Sequence, residues 1–359
     1  MVNLDDVHAL RALDAGNMLH LVSELPTQLR AGWGNAVAVE FPPEYRYAQR
    51  ILILGMGGSA IGGDLLRGLV ASRCPVPIVV HRDYRLPAWA SDAMSGTLVI
   101  ACSHSGNTEE TLAAFAAAHS KGAFLVAVTT GGELAARAAA WGVPLVLYGY
   151  DSPPRGALGY SFSSLLAVLS RLGFILDPQT ELEEAAATLE EMRPAMAEEC
   201  PLSSNPAKQL AARLIGRMPV IFGSSGRLAA VAYRWKCQFN ENSKTWAICE
   251  ELPEADHNVV VGTKLPSDGL KKQLTALFLA EPEEDARMAL RRRATADILA
   301  EEGIACETVM AQGRSPLARM FSLIFLGDHV SCYLALAQGI DPTPVEPITR
   351  LKALLATSR

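Results

Sequence analysis

Five short runs of β-branched and other apolar residues in the first half of the chain most constrain its fold. Each run is followed by a glycine-rich or polar turn and then by an alanine- or leucine-rich segment with helical spacing. Strands that are apolar on both sides are typical of a parallel sheet covered on both faces, since each crossover helix must lie on one face. The first half therefore predicts a doubly wound α/β domain. The runs are residues 50–56, 76–84, 97–103, 124–130 and 143–149.

The second half repeats this pattern more weakly. The strand-like "MPVIFGS" leads through a glycine turn into the helical "LAAVAYRWKCQF", and "TWAICEEL", "LTALFLA" and "ETVMA" supply further apolar runs. Between the halves, the acidic "ELEEAAATLEEMRPAMAEE" has the charge spacing of an exposed connecting helix. We therefore expect two doubly wound parallel-sheet domains with helices on both faces. The expected limits are a first domain at 1–160, a helical connection at 161–215, a second domain at 216–340, and a final turn and helix at 341–359.

Composition argues against several classes of protein. The formal net charge is -6, whereas nucleic-acid-binding proteins usually carry a clustered basic excess. The seven cysteines show no CxxC spacing, which argues against a zinc site and a disulfide framework. The N-terminus lacks a signal-peptide pattern, and no uninterrupted apolar run is long enough to span a bilayer. We expect a cytoplasmic protein that binds neither nucleic acid nor membrane.

The first glycine turn, "LILGMGGSAIGGD", has two competing interpretations. Gly55, Gly57 and Ala60 have the GxGxxA spacing of a dinucleotide fingerprint between a strand and a helix. Asp83 ends the next strand, where such folds bind a ribose, so the pattern is compatible with an oxidoreductase. The same glycines would also simply let a helix pack close to a sheet. A Walker phosphate loop is excluded, because no Gly-Lys-Ser/Thr sequence ends the turn.

The turn after the third run, "ACSHSGNTEETLAAF", favours phosphate. Ser103, Ser105 and Thr108 supply hydroxyl groups, and the backbone around Gly106 supplies N–H groups at the start of a helix. Neutral donors at the positive end of a helix dipole suit a phosphate monoester without any lysine. An ordinary helix N-cap accounts for one of these hydroxyls but not for the cluster. The sequence therefore predicts a phosphate site here.

The loop "SHSGNTEET" resembles the phosphosugar-binding loop of SIS (sugar isomerase) domains. Together with "GMGGSAIGGD", "PPRGALGYSF", "FNENSKTWAICEELPEADHN" and "DPTPVEPITRLK", it resembles the bifunctional phosphoglucose/phosphomannose isomerase family over nearly all of the chain. The resemblance implies two SIS domains, a homodimer, and interconversion of glucose 6-phosphate or mannose 6-phosphate with fructose 6-phosphate. It also implies that the reaction needs no metal ion and no nucleotide cofactor.

The resemblance also assigns roles to individual positions. Hydroxyl groups of the two turns are expected to hold the 6-phosphate, together with the backbone of neighbouring glycines. Four further residues are expected to act on the reacting carbons and the sugar ring. The phosphate residues are Ser59, Ser103, Ser105 and Thr108 with Gly57, Gly58 and Gly106, and the catalytic residues are Arg155, Glu241, His257 and Lys352.

Aldose-ketose isomerisation gives each catalytic residue a task. One base must move a proton between C2 and C1 through a cis-enediol, and the Glu241 carboxylate suits this step if it is partly desolvated. Arg155 follows two prolines and would stabilise the negative charge of the enediolate. His257 suits the proton transfers of ring opening, with Lys352 assisting, and the resemblance places this histidine in the neighbouring subunit. Without the other motifs, an exposed helix-end glutamate and a solvent-facing lysine are the ordinary interpretations.

Turnover of mannose 6-phosphate depends on one further position. The resemblance implies a threonine in the proline turn before the C-terminal lysine, where it leaves room for the axial C2 hydroxyl. Thr343 and Thr349 are the nearest threonines, and Val345 lies between them. The sequence does not fix which of these positions faces C2.

Two other functions stay open at this point. A non-catalytic SIS regulator would retain the serine-threonine loop but would not need the four catalytic residues together. An oxidoreductase would use the glycine fingerprint and would bind NAD(H) or NADP(H).

Overall fold

A computed structural model gives the fold and describes residues 2–90, 94–264 and 267–357. The first half contains a sheet of five parallel strands, and each strand lies within one of the five predicted apolar runs. Its strands are β1 (Arg50–Leu54), β2 (Ile78–His81), β3 (Thr97–Ser103), β4 (Phe124–Thr129) and β5 (Leu145–Leu147), in the spatial order β2-β1-β3-β4-β5.

Helices cover both faces of this first sheet. Alternate strand residues enter two different cores, as the pleat of a strand requires. Ile51 and Ile53 of β1 pack with the core that contains α3, α4 and α7, whereas Leu52 and Leu54 pack with the core under α5 and α6. The predicted doubly wound arrangement is confirmed for this half. The helices are α1 (Val7–Leu13), α2 (Met18–Ser23), α3 (Leu25–Val37), α4 (Gly57–Val70), α5 (Glu109–Ser120), α6 (Gly132–Trp141) and α7 (Leu158–Arg171).

The second half forms a sheet of four parallel strands with the same order as the first four strands of the first sheet. Its strands are β6 (Met218–Ser224), β7 (Ile248–Leu252), β8 (Leu274–Ala280) and β9 (Ala305–Met310), in the order β7-β6-β8-β9. The prediction of a second, weaker copy is therefore confirmed. The helices are α8 (Gln179–Met196), α9 (Pro206–Leu214), α10 (Arg227–Glu241), α11 (Asp268–Gln273), α12 (Ala286–Glu301), α13 (Pro316–Ala337) and α14 (Glu346–Thr357).

Helices from both halves share one large apolar core. Helix α13 lies in this shared core and packs against α8, α9 and α10. It is the one helix in the described ranges that is long and apolar enough to cross a membrane, and 94% of its most apolar window is buried inside the protein. This burial is that of a core helix. The prediction that α8 is an exposed connection is wrong on one face, because Leu182, Leu189 and Met196 are buried.

A buried ion pair joins α10 to α13. The Arg234 guanidinium donates to both carboxylate oxygens of Asp328, with Nη2–Oδ2 at 2.5 Å and Nε–Oδ1 at 3.1 Å. Both side chains are almost completely buried. The two helices approach closely here, because a Cβ at Gly327 would lie only 2.2 Å from the Trp235 ring. The pair therefore fixes the position of α10 over the shared core.

Asp328→Asn is expected to lower the free energy of unfolding by about 3–5 kcal/mol, because it leaves the Arg234 charge buried without its partner. Urea unfolding of wild type and variant at equal protein concentration measures this difference. Glu307→Gln is the control: it breaks the Arg213–Glu307 pair at the surface, and its expected cost is at most about 1 kcal/mol. Equal losses in the two variants contradict the prediction.

Candidate active site

The loop after β3 forms a compact turn at the carboxyl edge of the first sheet. Ser103 ends β3 and is buried, and its Oγ lies 2.9 Å from Thr108 Oγ1, directly before α5. Gly106 has a left-handed backbone (φ 68°), and a Cβ there would lie 1.8 Å from the Gly131 carbonyl oxygen. Only glycine fits at this position. The loop therefore keeps two of the predicted phosphate hydroxyls in contact with each other.

The first glycine turn lies beside this loop. Strands β1 and β3 are neighbours, so the turns that follow them meet at one edge of the sheet. Ser59 lies in the first turn of α4, and its buried Oγ accepts a hydrogen bond from the His104 backbone N–H at 3.1 Å. Ser105 is exposed, and its Oγ accepts a hydrogen bond from the Asn107 N–H at 3.3 Å. The structure thus brings Ser59 to the predicted phosphate loop.

Arg155 lies in the short 3-10 turn Pro154–Gly156 and is 3% exposed. Its Nε donates to Asn242 Oδ1 at 2.6 Å, and its Nη2 donates to the carbonyl oxygens of Pro342 at 2.9 Å and Thr343 at 2.8 Å. Burial lowers the pKa of this guanidinium, but the ordinary value lies so far above neutrality that the group stays charged. Arg155 is a pre-placed buried cation.

Glu241 is the last residue of α10, and its side chain is 29% exposed. Its Oε2 lies 3.6 Å from Arg155 Nη1. The carboxylate also borders a cleft of about 300 Å³ that is lined by Lys236, Cys237, Asn240 and Trp246. A partly desolvated carboxylate next to a fixed cation is an arrangement that can transfer protons beside a developing negative charge.

The phosphate turn and Arg155 are in direct contact. A Cβ at Gly58 would lie 3.0 Å from the carbonyl carbon of Pro154 and 3.1 Å from the Arg155 nitrogen. An added Cβ would therefore crowd the backbone where the first turn of α4 meets the arginine turn. This contact places the first glycine turn beside the turn that carries Arg155, and Arg155 in turn lies beside Glu241, within a single chain.

His257 and Lys352 are not part of this cluster in one chain. His257 ends the 3-10 segment Glu254–His257 after β7, and Lys352 lies on α14; both residues are exposed. Within the described ranges, neither side chain makes a hydrogen bond or an ion pair. Apolar residues beside Lys352 are also exposed, with Leu351 and Leu355 each at 56%. The single chain thus leaves an apolar helix face open next to a predicted catalytic residue.

Sequence reasoning missed two side chains that hold the site together. Asn242 is buried and links Arg155 to Ser331, because its Nδ2 donates to Ser331 Oγ at 2.9 Å. Lys244 has a left-handed backbone, and its Nζ donates to the carbonyl oxygens of Glu241 at 2.6 Å and Pro342 at 3.0 Å. Burial, reinforced by the Arg155 charge, lowers the pKa of this ammonium group. The only signal in the sequence was the polar "ENSK" at the end of a helix.

Among the three positions proposed for the C2 hydroxyl, Thr343 is the one whose carbonyl oxygen accepts from Arg155. Its own hydroxyl oxygen is buried against Gly16 without a hydrogen-bond partner among the described residues. Thr349 lies on the exposed helix α14. The structure therefore places the Thr343 backbone in contact with the arginine.

No group of three or more His, Cys, Asp or Glu side chains in residues 2–90, 94–264 and 267–357 is arranged to hold a metal ion. All seven cysteines are free thiols. The polar groups gathered at the site are hydroxyls, backbone N–H groups, the Arg155 guanidinium and the Glu241 carboxylate, with the Asn242 amide and the Lys244 ammonium beside them. Such groups can bind a phosphate ester and act on a sugar.

Similar solved structures support the fold. A hypothetical protein from Thermus thermophilus superimposes with a TM-score of 0.72 at 18% identity, covering 98% of this chain and 93% of that chain. The C-terminal domain of glucosamine-fructose-6-phosphate aminotransferase from Francisella tularensis gives a TM-score of 0.71 at 14% identity, covering 91% of this chain and 98% of that chain. At these identities the likeness concerns the fold alone, and the predicted SIS-type architecture is confirmed.

Sequence relatives identify the family. Residues 203–355 match the family model described as the bacterial phospho-glucose isomerase C-terminal SIS domain. The bifunctional phosphoglucose/phosphomannose isomerase of Caldicellulosiruptor bescii is 41% identical over 345 residues, which are 94% of this chain and 99% of that protein. The protein of the same name from Aquifex aeolicus is 35% identical over 303 residues, which are 84% of this chain and 89% of that protein. This chain therefore belongs to the bifunctional phosphoglucose/phosphomannose isomerase family, as its five motifs predicted.

Proposed function

We propose that this protein interconverts glucose 6-phosphate and mannose 6-phosphate with fructose 6-phosphate, as a cytoplasmic homodimer. The observation that carries the proposal is the placement of the Glu241 carboxylate 3.6 Å from the Arg155 guanidinium, whose turn packs against the first glycine turn. A base, a fixed cation and a phosphate site are what an enediol isomerisation requires. Family membership makes the chain a phosphohexose isomerase, so the non-catalytic regulator is not favoured. The oxidoreductase is not favoured either, because the relatives that match most of the chain are isomerases.

The 6-phosphate is assigned to the edge where the two turns meet. Ser103 and Thr108 offer hydroxyls 2.9 Å apart, and Ser59 is held beside them by the His104 N–H. The start of α5 directs backbone N–H groups and the positive end of its dipole towards this edge. The backbone of Gly57, Gly58 and Gly106 completes the proposed phosphate site.

Arg155 is assigned to the enediolate. Three of its five N–H groups are used to hold it, on Asn242, Pro342 and Thr343. This leaves the two N–H groups of Nη1, and Nη1 is the nitrogen nearest to Glu241. A substrate oxygen bound there would have the base and the stabilising cation on the same side. Glu241 would then move the proton between C2 and C1.

Ring opening is assigned to His257 of a second subunit, with Lys352 assisting. In one chain both residues are exposed, and Leu351 and Leu355 expose apolar surface beside Lys352. Exposed apolar surface of this kind is typical of an interface, and most oligomers pair identical patches around a two-fold axis. A second copy would bury this helix face and supply the missing imidazole. For mannose 6-phosphate, the Thr343 backbone is our candidate beside C2, because its carbonyl oxygen binds Arg155 whereas its hydroxyl is buried against Gly16.

Glu241→Gln is expected to lower kcat by about 10²- to 10⁴-fold on both aldose phosphates, because the amide cannot accept the C2 proton. A coupled assay that detects fructose 6-phosphate measures the change. Glu301→Gln, on the exposed end of α12, should keep wild-type kcat. Full activity of Glu241→Gln would remove the proposed base, and an inactive wild type that still binds both sugars would establish the regulator.

Mixed dimers test the assignment of His257 across the interface. Glu241→Gln and His257→Ala chains with different tags are co-expressed, and the doubly tagged dimers are purified. If His257 acts on the neighbouring site, each mixed dimer has one intact site, so its kcat is expected to be about half that of wild type, as two-fold symmetry requires. If both residues act within one chain, every site of the mixed dimer is defective and no activity returns. Purified Glu241→Gln and His257→Ala homodimers are the controls.

Gly106→Ala is expected to raise the inhibition constant of inorganic phosphate by about tenfold or more, since the new Cβ must move the loop. Gly122→Ala is a matched control. Its backbone is equally left-handed (φ 72° against 68°), but an added Cβ meets no atom within 4 Å. Both variants should lose some thermal stability, and only Gly106→Ala should lose phosphate affinity. Equal inhibition constants in the two variants would place the phosphate elsewhere.

A further inference from the structure

We propose that His104 is a positioning residue that holds the phosphate loop and the Arg155 turn at a fixed separation. The inference rests on the proposed function and adds a residue to it. His104 lies between two of the phosphate serines and is only 9% exposed. Its backbone and both ring nitrogens have hydrogen-bond partners.

The backbone of His104 joins three turns at the edge of the first sheet. Its N–H donates to Ser59 Oγ at 3.1 Å, in the first turn of α4. Its carbonyl oxygen accepts from the Thr130 N–H at 3.1 Å and from Thr130 Oγ1 at 2.6 Å, after β4. The residue therefore cannot shift without moving the proposed phosphate site.

The imidazole ring reaches from this loop to the arginine turn. Nε2 lies 2.9 Å from the Ser152 carbonyl oxygen, and a carbonyl oxygen only accepts, so Nε2 carries the proton. Nδ1 then accepts from the Tyr148 hydroxyl at 3.2 Å. Burial lowers the pKa of this imidazole, which favours the neutral form that these two bonds require. The ring therefore has one defined tautomer and is held by a hydrogen bond at each nitrogen.

Ser152 connects the His104 ring to Arg155, the proposed catalytic cation, through a short stretch of backbone. Pro153 and Pro154 separate it from Arg155, and their rings fix φ at two successive positions. The turn therefore has little freedom to absorb a displacement of Ser152 before it reaches Arg155.

Other donors hold the far side of the same turn. The Arg155 carbonyl oxygen accepts from Arg234 Nη2 at 3.0 Å, and the Gly156 carbonyl oxygen accepts from Gln28 Nε2 at 2.8 Å. Arg234 belongs to α10 and Gln28 to α3. Of these three side-chain donors to the turn, His104 alone comes from the phosphate loop. It is therefore the direct side-chain link between the group that anchors the 6-phosphate and the group that faces the reacting carbons.

The link matters because one substrate molecule must contact both the phosphate loop and the Arg155 turn. A hexose phosphate bound at the loop presents its C1 and C2 to Arg155 and Glu241 only if the two turns keep their separation. A misplacement of about 1 Å can cost roughly 100-fold in rate without a comparable loss of binding. The role of His104 should therefore appear in kcat and not in phosphate affinity.

The test compares His104→Leu with His104→Gln in the full-length protein, with glucose 6-phosphate as substrate and inorganic phosphate as inhibitor. Leucine makes neither ring contact, whereas the glutamine amide can donate to the Ser152 carbonyl as Nε2–H does. We expect kcat of His104→Leu to fall by about 100-fold, with the phosphate inhibition constant changed less than about threefold. We expect His104→Gln to recover at least tenfold of that loss.

The possible results separate this inference from the proposed function. A wild type that does not isomerise the sugar overturns the proposed function and this inference with it. An active wild type with unchanged kcat in His104→Leu overturns the inference alone. If both variants lose kcat and phosphate affinity equally, in step with their melting temperatures, His104 is only a structural residue and the inference is wrong.

Discussion

The Arg155 guanidinium joins three parts of the chain that are far apart in the sequence. It donates to Asn242 after α10 and to the carbonyl oxygens of Pro342 and Thr343 before α14. A buried charge is costly unless its hydrogen bonds are made, so each of these segments must be in place for the others to be stable. The site therefore forms together with the packing of the two halves. The Arg234–Asp328 pair supports it, since Arg234 also donates to the Arg155 carbonyl oxygen.

The two sheets have the same strand order, yet they contribute different chemistry. In the first half the loop after β3 carries serine and threonine hydroxyls. The equivalent loop after β8 is acidic: Glu281 pairs with Arg227, and Glu284 accepts from Ser224 and Arg292. These carboxylates fill the second loop and would repel a phosphate. On the proposed mechanism, the first half therefore binds the phosphate and the second half supplies the base.

The sequence predicted the strands well and the contacts of the site poorly. The runs 97–103, 218–224 and 274–280 coincide with β3, β6 and β8, because a continuous apolar run records burial directly. The spacing of the acidic residues in α8 did not predict the buried apolar face of this helix, since charge spacing describes only the solvent side of a helix. The partners of Arg155 lie 87 to 188 positions away, so no local pattern could reveal them. No sequence pattern indicated a role for His104, which lies between two serines that are themselves predicted phosphate residues.

In the proposed mechanism, one part of the reaction depends on the fold of a single subunit and another part depends on the dimer. Arg155 and Glu241 lie together within one chain and need only the packing of its two halves. His257 and Lys352 are exposed in that chain and lie outside the cluster. An open-chain sugar phosphate requires only proton transfer, whereas a closed ring must first be opened. It follows that proton transfer would depend on the folding of one subunit, and ring opening on the association of two.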